Sequence, residues 1–123
     1  MGQMLAIETI GPREASEAVA AALLGWRGVT SEPGPIEASL AFRFRRQVLG
    51  RVFAACGLHA AVDAQFPPAM GEVLIALGRA ERHPVIPDAG WVLRTIHRRS
   101  DIAEAIALLR DNYDRVSSRL RLV

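Results

Sequence analysis

Lysine is absent from this 123-residue chain, and cysteine occurs only once. All 15 basic residues are arginines, and 13 acidic residues leave a formal net charge of +2. Because the arginines are spread from Arg13 to Arg121, the charge gives only weak support for a nucleic-acid partner. The single cysteine, Cys56, excludes an intramolecular disulfide, so the fold needs no oxidising compartment and we expect a cytoplasmic protein.

Long apolar runs and targeting signals are missing as well. No apolar stretch reaches the roughly 18 residues of a membrane-spanning helix, and the N-terminus lacks the pattern of a secretory signal. We therefore expect a soluble protein without a membrane partner. Half of the residues are hydrophobic and 23% are charged, which is typical of a globular chain. This length fits one domain spanning residues 1–123.

Hydrophobic periodicity predicts three helices and a group of strands. Apolar residues at helical spacing predict three helices, which start at Pro12, at Phe66-Pro67 and at Asp101. Gly25 or Gly28 ends the first helix, and Gly78 ends the second. Alternating residues predict strands at about 39–45 and 48–53, and less regular patterns predict strands at about 28–32, 60–64 and 91–97. Residues 54–61 fit a loop, a helical turn or a bulged strand. Short turns between consecutive strands imply an α+β fold, in which a single antiparallel layer of about five strands is covered on one face by three helices.

Two finer predictions concern the helices. Met70, Val73, Leu74 and Leu77 form a stripe that predicts the buried face of the second helix. Asp101, with Glu104 three residues later, resembles a capping box that opens the third helix.

Residues 78–92 concentrate polar side chains and backbone constraints. Pro84 and Pro87 push the residues before them toward extended backbone, and residues 88–90 are typical of a turn that precedes Trp91. Because this segment leaves a helix and enters a strand, it is expected to lie at the margin of the sheet. It is therefore the first place to look for a binding site.

Three side chains of this segment are candidate ligand-binding residues. His83 and Asp88, five residues apart, form a candidate acid–base pair. Alternatively, His83 hydrogen-bonds the proline-rich turn and Asp88 caps that turn. Trp91 either stacks on a flat ligand or packs in the core with its N–H hydrogen-bonded.

Arg51, beside Phe53 on a predicted strand, is the fourth candidate. Its guanidinium group suits bidentate binding of a carboxylate or phosphate. The alternative is a solvated sheet face that also carries Arg43 and Arg45.

Cys56 and His59 lie three residues apart, a spacing that fits half of a zinc site or a cysteine nucleophile with a histidine base. Zinc needs three or four ligands, and no second pair lies near by in the sequence. Glycine-rich phosphate loops, nucleophile elbows and His-Glu metalloprotease motifs are also missing. We therefore predict no metal and no cofactor.

The run from Gly78 to Val92 resembles the signature of the bacterial luciferase-domain family, whose members share a region with fungal luciferases. The resemblance extends over about residues 26–115 and includes Gly28-Val29-Thr30, Leu40-Ala41-Phe42-Arg43, Asp63, Phe66-Pro67, Leu109 and Tyr113. More distantly, a helix that starts at Phe-Pro, a tryptophan-led strand and a terminal helix are similar to the YjbR-type proteins, which are sometimes labelled DNA-binding. Such likeness does not determine function.

This chain departs from the family pattern at three places, one of which is the loop around Cys56. The family pattern implies Gly-His-x-His-Gly, a histidine pair suited to binding a metal or moving protons, where this sequence has Gly50-Arg51-Val52-Phe53-Ala54. Ala89 replaces the usual serine before Gly-Trp. An activity that depends on the two histidines would be lost here or moved, for instance to His59.

These observations leave three functional hypotheses. In the first, the concave side of the sheet, with residues 82–91 at its rim, holds a small molecule or a protein segment without turnover. In the second, His83, Asp88 and Trp91 serve an enzyme of small-molecule or oxygen chemistry. The third is nucleic-acid binding, based on the arginine content and the YjbR-like outline.

Overall fold

The computed structural model describes residues 9–56 and 58–122, and this part of the chain contains three helices and six strands. The helices are α1 (Pro12–Leu24), α2 (Pro68–Ala76) and α3 (Ser100–Leu122). The strands are β1 (Val29–Pro33), β2 (Ser39–Phe44), β3 (Gln47–Cys56), β4 (His59–Gln65), β5 (Glu81–Arg82) and β6 (Trp91–Ile96). Of the helices described, none combines the length and the apolar character needed to cross a membrane.

All six strands belong to one antiparallel sheet with the order β1-β2-β3-β4-β6-β5. The strands β1 to β4 are neighbours in the sheet because short turns connect them, and β6 pairs with β4 after α2. The predicted α+β class and single antiparallel layer are confirmed. The sheet has six strands instead of about five because Glu81–Arg82 pairs with β6, and two residues are too few to show a periodicity.

One face of the sheet packs against the helices. Alternate residues of the central strands point to this face and are fully buried, because a strand directs every second side chain to the same side. The helices α1 and α3 cover them with apolar stripes, and removing this surface from water is the main contribution to folding. The largest buried side chains include Val19, Leu23, Phe42, Val52, Val62, Val92, Leu108 and Leu109.

Polar contacts tie α3 to the sheet and to the end of α1. The Asn112 side chain is fully buried, and its Nδ2 donates to the carbonyls of Leu49 at 2.8 Å and Gln65 at 3.3 Å. Leu49 is the extra residue where the pairing of β2 and β3 shifts register, so its carbonyl needs a partner outside the ladder. The Tyr113 hydroxyl donates to the Arg27 carbonyl at 2.8 Å.

The predicted buried stripe of α2 is only partly correct. Leu74 is buried, but Val73 and Leu77 are 55% and 67% exposed. The reason is that α2 lies at the margin of the sheet against β6, where only one narrow side of the helix is covered. Gly78 does end the helix as predicted: it has a left-handed φ of +73°, and the N–H of Arg79 donates to the Leu74 carbonyl.

Asp101 does not open α3 in the predicted way. Its Oδ2 accepts hydrogen bonds from the N–H groups of His97 at 2.8 Å and Arg98 at 3.1 Å. Asp101 therefore has the role of the last residue of a capping box, whose side chain binds the N–H three residues earlier, and not the predicted role of the first residue. Glu104 instead contacts Arg94. Burial alone would raise the pKa of Asp101, but the two N–H donors and the Arg94 charge outweigh it and lower this pKa below its usual value.

Candidate functional site

The second face of the sheet carries the polar candidates. Arg51 on β3 and Asp63 on β4 lie directly opposite each other in the register, so both side chains project from the same face. The next strand, β6, places Leu93 opposite Asp63, and β5 leads directly into His83. Strand register therefore brings together side chains that are far apart in the sequence.

Arg51 and Asp63 form a bidentate ion pair. Nε of Arg51 donates to Oδ1 of Asp63 at 2.9 Å, and Nη2 donates to Oδ2 at 2.6 Å. The Asp63 side chain is fully buried, whereas the Arg51 side chain retains 19% exposure. The predicted bidentate binding by Arg51 is therefore already used within the chain, and the alternative of a solvated Arg51 is wrong because a buried carboxylate holds it.

His83 also contacts the Asp63 carboxylate of this ion pair. Its Nε2 lies 3.0 Å from Oδ2 of Asp63, and its Nδ1 accepts the N–H groups of Val85 at 3.1 Å and Ile86 at 3.0 Å. Because Nδ1 faces two donors, the ring proton sits on Nε2 and is donated to Asp63. His83 is buried and both of its nitrogens are engaged.

Two aromatic rings hold the guanidinium group of Arg51. Its Cζ lies 4.6 Å from the centroid of the Trp91 ring and 5.6 Å from that of Phe53. The Trp91 ring also meets the His83 ring edge-on, with centroids 6.0 Å apart. The half-buried Trp91 ring therefore packs against Arg51 and His83, while its stacking on a flat ligand stays a prediction.

The proline segment is fixed around this group by many local contacts. Arg82 binds Glu72 of α2 through both terminal nitrogens at 3.1 and 2.9 Å. These hydrogen bonds lower the pKa of Glu72 and raise that of Arg82. Gly90 has a left-handed φ of +85°, and its carbonyl accepts the N–H of Phe66 at 3.0 Å. The rim of the site is therefore attached to both α2 and the end of β4.

An open cleft of about 830 Å³ lies beside Arg51 and Trp91. Its walls are the turn 33–35 and the residues 43–48, which include the tip of the β2–β3 hairpin, and Gln65 completes the end near Trp91. This volume falls in the range of roughly 300–1,000 Å³ that is usual for small-molecule sites.

Asp88 does not join the group. It is exposed, lines a separate hollow of about 210 Å³, and contributes its backbone carbonyl to the N–H of Trp91 at 3.3 Å. The predicted His83–Asp88 pair is wrong, since the carboxylate that His83 meets is Asp63. Of the alternative, the part in which His83 hydrogen-bonds the proline-rich turn is correct, whereas Asp88 takes part in the turn through its backbone carbonyl.

Asp63 was missed as a functional residue, although the sequence contained a signal. It lies in the run Ala60-Ala61-Val62-Asp63-Ala64, where a lone charged residue in a buried strand requires a partner. Nothing in the sequence named Arg51 as that partner, because the register of β3 against β4 selects it.

The predicted Cys56–His59 group has only one member whose side chain is described. Cys56 and His59 are paired in the β3–β4 hairpin, but the side chain of Cys56 lies outside the described residues. The His59 ring meets the ring of His97 edge-on, with a centroid distance of 4.6 Å. Within the part of the chain that the structure describes, no three metal-ligating side chains of the His, Cys, Asp or Glu type come together.

Comparison with known families gives one match. The family model described as Luciferase domain matches residues 55–112, which run from the end of β3 through the middle of α3. This region includes Asp63, His83 and Trp91, whereas Arg51 and Phe53 precede it. No curated protein and no solved structure matches the chain.

Proposed function

We propose that this chain is a luciferase-domain protein over its whole length, and that it binds a small molecule with a planar polar group in the cleft, without turnover. The observation that carries the proposal is the state of Arg51, whose guanidinium group is fixed in place at the wall of the cleft before any ligand arrives. A location in the bacterial cytoplasm belongs to the same proposal.

Arg51 retains donors for a ligand after it has bound Asp63. A guanidinium group has five N–H donors, and the Asp63 carboxylate uses two of them. Among the described residues, Nη1 of Arg51 has no hydrogen-bond partner. Because Asp63, Trp91 and Phe53 hold the group in one orientation, a ligand that accepts these hydrogen bonds loses little affinity to ordering.

Binding without turnover is supported by His83. A general base must offer a free nitrogen to the proton it removes, and both nitrogens of His83 are already hydrogen-bonded in a buried position. Catalysis by this residue would first have to break its contact with Asp63 or with the backbone. The alternative hypothesis of an enzyme that uses residues 82–91 also loses the acid–base pair on which it was based.

The proposal is tested by thermal-shift and calorimetric screening against planar metabolites that carry hydrogen-bond acceptors. A compound that binds the wild type should bind Arg51→Lys about tenfold or more weakly, since lysine keeps the charge but loses the planar fork. Arg13→Lys, on α1, is the matched control and should leave the affinity unchanged. Circular dichroism verifies that each variant is folded.

Two results would count against this function. One is a broad panel in which no compound stabilises the wild type. The other is a ligand that binds the wild type and the folded Arg51→Lys variant equally well, because Arg51 would then not contact it.

A further inference from the structure

The tip of the β2–β3 hairpin has an unusual composition for a tight turn. Arg45 has a left-handed φ of +58°, a conformation that glycine or asparagine normally supplies. Arg46 follows it in the turn. A long charged side chain in this backbone region costs stability, and such conformations cluster at functional sites.

Contacts inside the hairpin stabilise the tip despite this cost. Nη1 of Arg43 donates to the Arg46 carbonyl at 3.1 Å, while the same guanidinium group contacts the carboxylate of Glu32 on β1. The Arg45 guanidinium group lies 5.7 Å from the centroid of the Phe44 ring. The Arg43 guanidinium group is therefore already engaged by Glu32 and the Arg46 carbonyl, and these contacts stabilise the turn at the wall of the cleft.

The charges along the cleft divide into paired and unpaired groups. Arg51 is balanced by Asp63 and Arg43 by Glu32. Arg45 and Arg46 are exposed, line the same cleft, and contact no carboxylate among the described residues. The cleft therefore has two uncompensated positive charges at the hairpin tip, on residues distinct from the Arg51–Trp91 pair.

We infer that the ligand of this cleft is a small planar molecule that bears a phosphate or an equivalent dianion, with its ring beside Arg51 and Trp91 and its dianion at Arg45 and Arg46. Two arginines match the charge of a phosphate dianion, and their N–H groups suit its oxygens. The planar end is bordered by the Trp91 ring, which lies against the Arg51 guanidinium group, and by the remaining N–H donors of that group. A cleft of about 830 Å³ has room for one molecule of mononucleotide size.

This inference rests on the proposed function, so the experiment must separate the two. Calorimetry measures the binding of AMP, adenosine, riboflavin 5′-phosphate and riboflavin to the wild type and to two double variants. Arg45→Gly with Arg46→Gln removes both charges of the tip and relieves the left-handed strain. Arg13→Gln with Arg98→Gln removes two charges from residues outside the cleft and is the matched control.

We expect a phosphorylated compound to bind the wild type about tenfold or more tightly than its unphosphorylated counterpart. In the tip variant this preference should fall to about twofold or less, while the control variant keeps it. Added salt should weaken only the binding of the phosphorylated member.

Each contrary result has a separate meaning. Equal affinity for the phosphorylated and unphosphorylated members of both pairs would overturn the inference while leaving the proposed function intact. The same holds if the preference persists in the tip variant. No binding of any of the four compounds would overturn the inference, whereas the proposed function falls only if the broad panel of planar metabolites also yields no ligand. A single-stranded hexanucleotide that binds far more tightly than AMP would overturn the assignment to a small ligand in favour of nucleic acid.

Discussion

Replacing Asp63 by asparagine removes the one charge on which the site is built. Both oxygens of this fully buried carboxylate accept hydrogen bonds, from Arg51 and from His83. Asparagine keeps the shape but turns one acceptor into a donor, which then faces an N–H group. Breaking a buried ion pair costs about 3–5 kcal/mol. Because Arg51 retains 19% exposure to water, we expect the free energy of unfolding to fall by about 2–4 kcal/mol.

Urea denaturation followed by far-UV circular dichroism measures this loss. With a slope of about 1.5–2 kcal/mol/M for a chain of this size, the midpoint should fall by about 1–3 M. Adding Arg51→Met to Asp63→Asn should cost less than the sum of the single changes, since the unpaired charge is then removed as well. An Asp63→Asn loss below about 0.5 kcal/mol, or strictly additive losses, would refute the reasoning.

Four further substitutions test other parts of the structure. Gly90→Ala should destabilise by about 2–4 kcal/mol in urea titrations, because a Cβ would lie 1.8 Å from the Phe66 carbonyl oxygen. Gly78→Ala, also at positive φ but in open space, should cost only about 1 kcal/mol. The lowered pKa of Asp101 implies a stability contribution that is present above the unfolded pKa of about 3.9 and lost as the pH falls through the lower folded value. The free energy of unfolding of Asp101→Asn should therefore depend less on pH in that acidic window than that of the wild type. Identical pH profiles for the variant and the wild type would contradict the prediction. Asn112→Leu should lose about 1–3 kcal/mol because it leaves buried carbonyls unpaired, and a neutral result would show that water replaces the side chain.

The order of helices and strands was predictable because local patterns specify it. The helix from Pro12, the strand from Trp91 and the long terminal helix each have a clear period or boundary residue. The edge strand at Glu81–Arg82 is defined only by its pairing with β6. The exposure of Val73 likewise depends on where α2 lies against the sheet and not on its own sequence.

Three of the four candidate side chains do come together, but the reason was not available from the sequence. Arg51, His83 and Trp91 meet because strand register aligns Arg51 with Asp63, while the proline turn directs the His83 ring inward. Asp88 is near His83 in sequence, yet the same turn leaves it exposed. Proximity along the chain was therefore a poor guide to the partner of a buried histidine.

The most direct measurement of the central claim uses the two tryptophan indole N–H signals in ¹H–¹⁵N NMR spectra. Trp91 borders the cleft, whereas Trp26 packs against Tyr113 beside α3, with ring centroids 5.3 Å apart. Titration with AMP or riboflavin 5′-phosphate should shift the Trp91 signal progressively and leave the Trp26 signal in place, with Trp91→Phe providing the assignment. If a ligand that binds by calorimetry shifts Trp26 alone, or neither signal, the binding site is not the cleft beside Arg51 and Trp91.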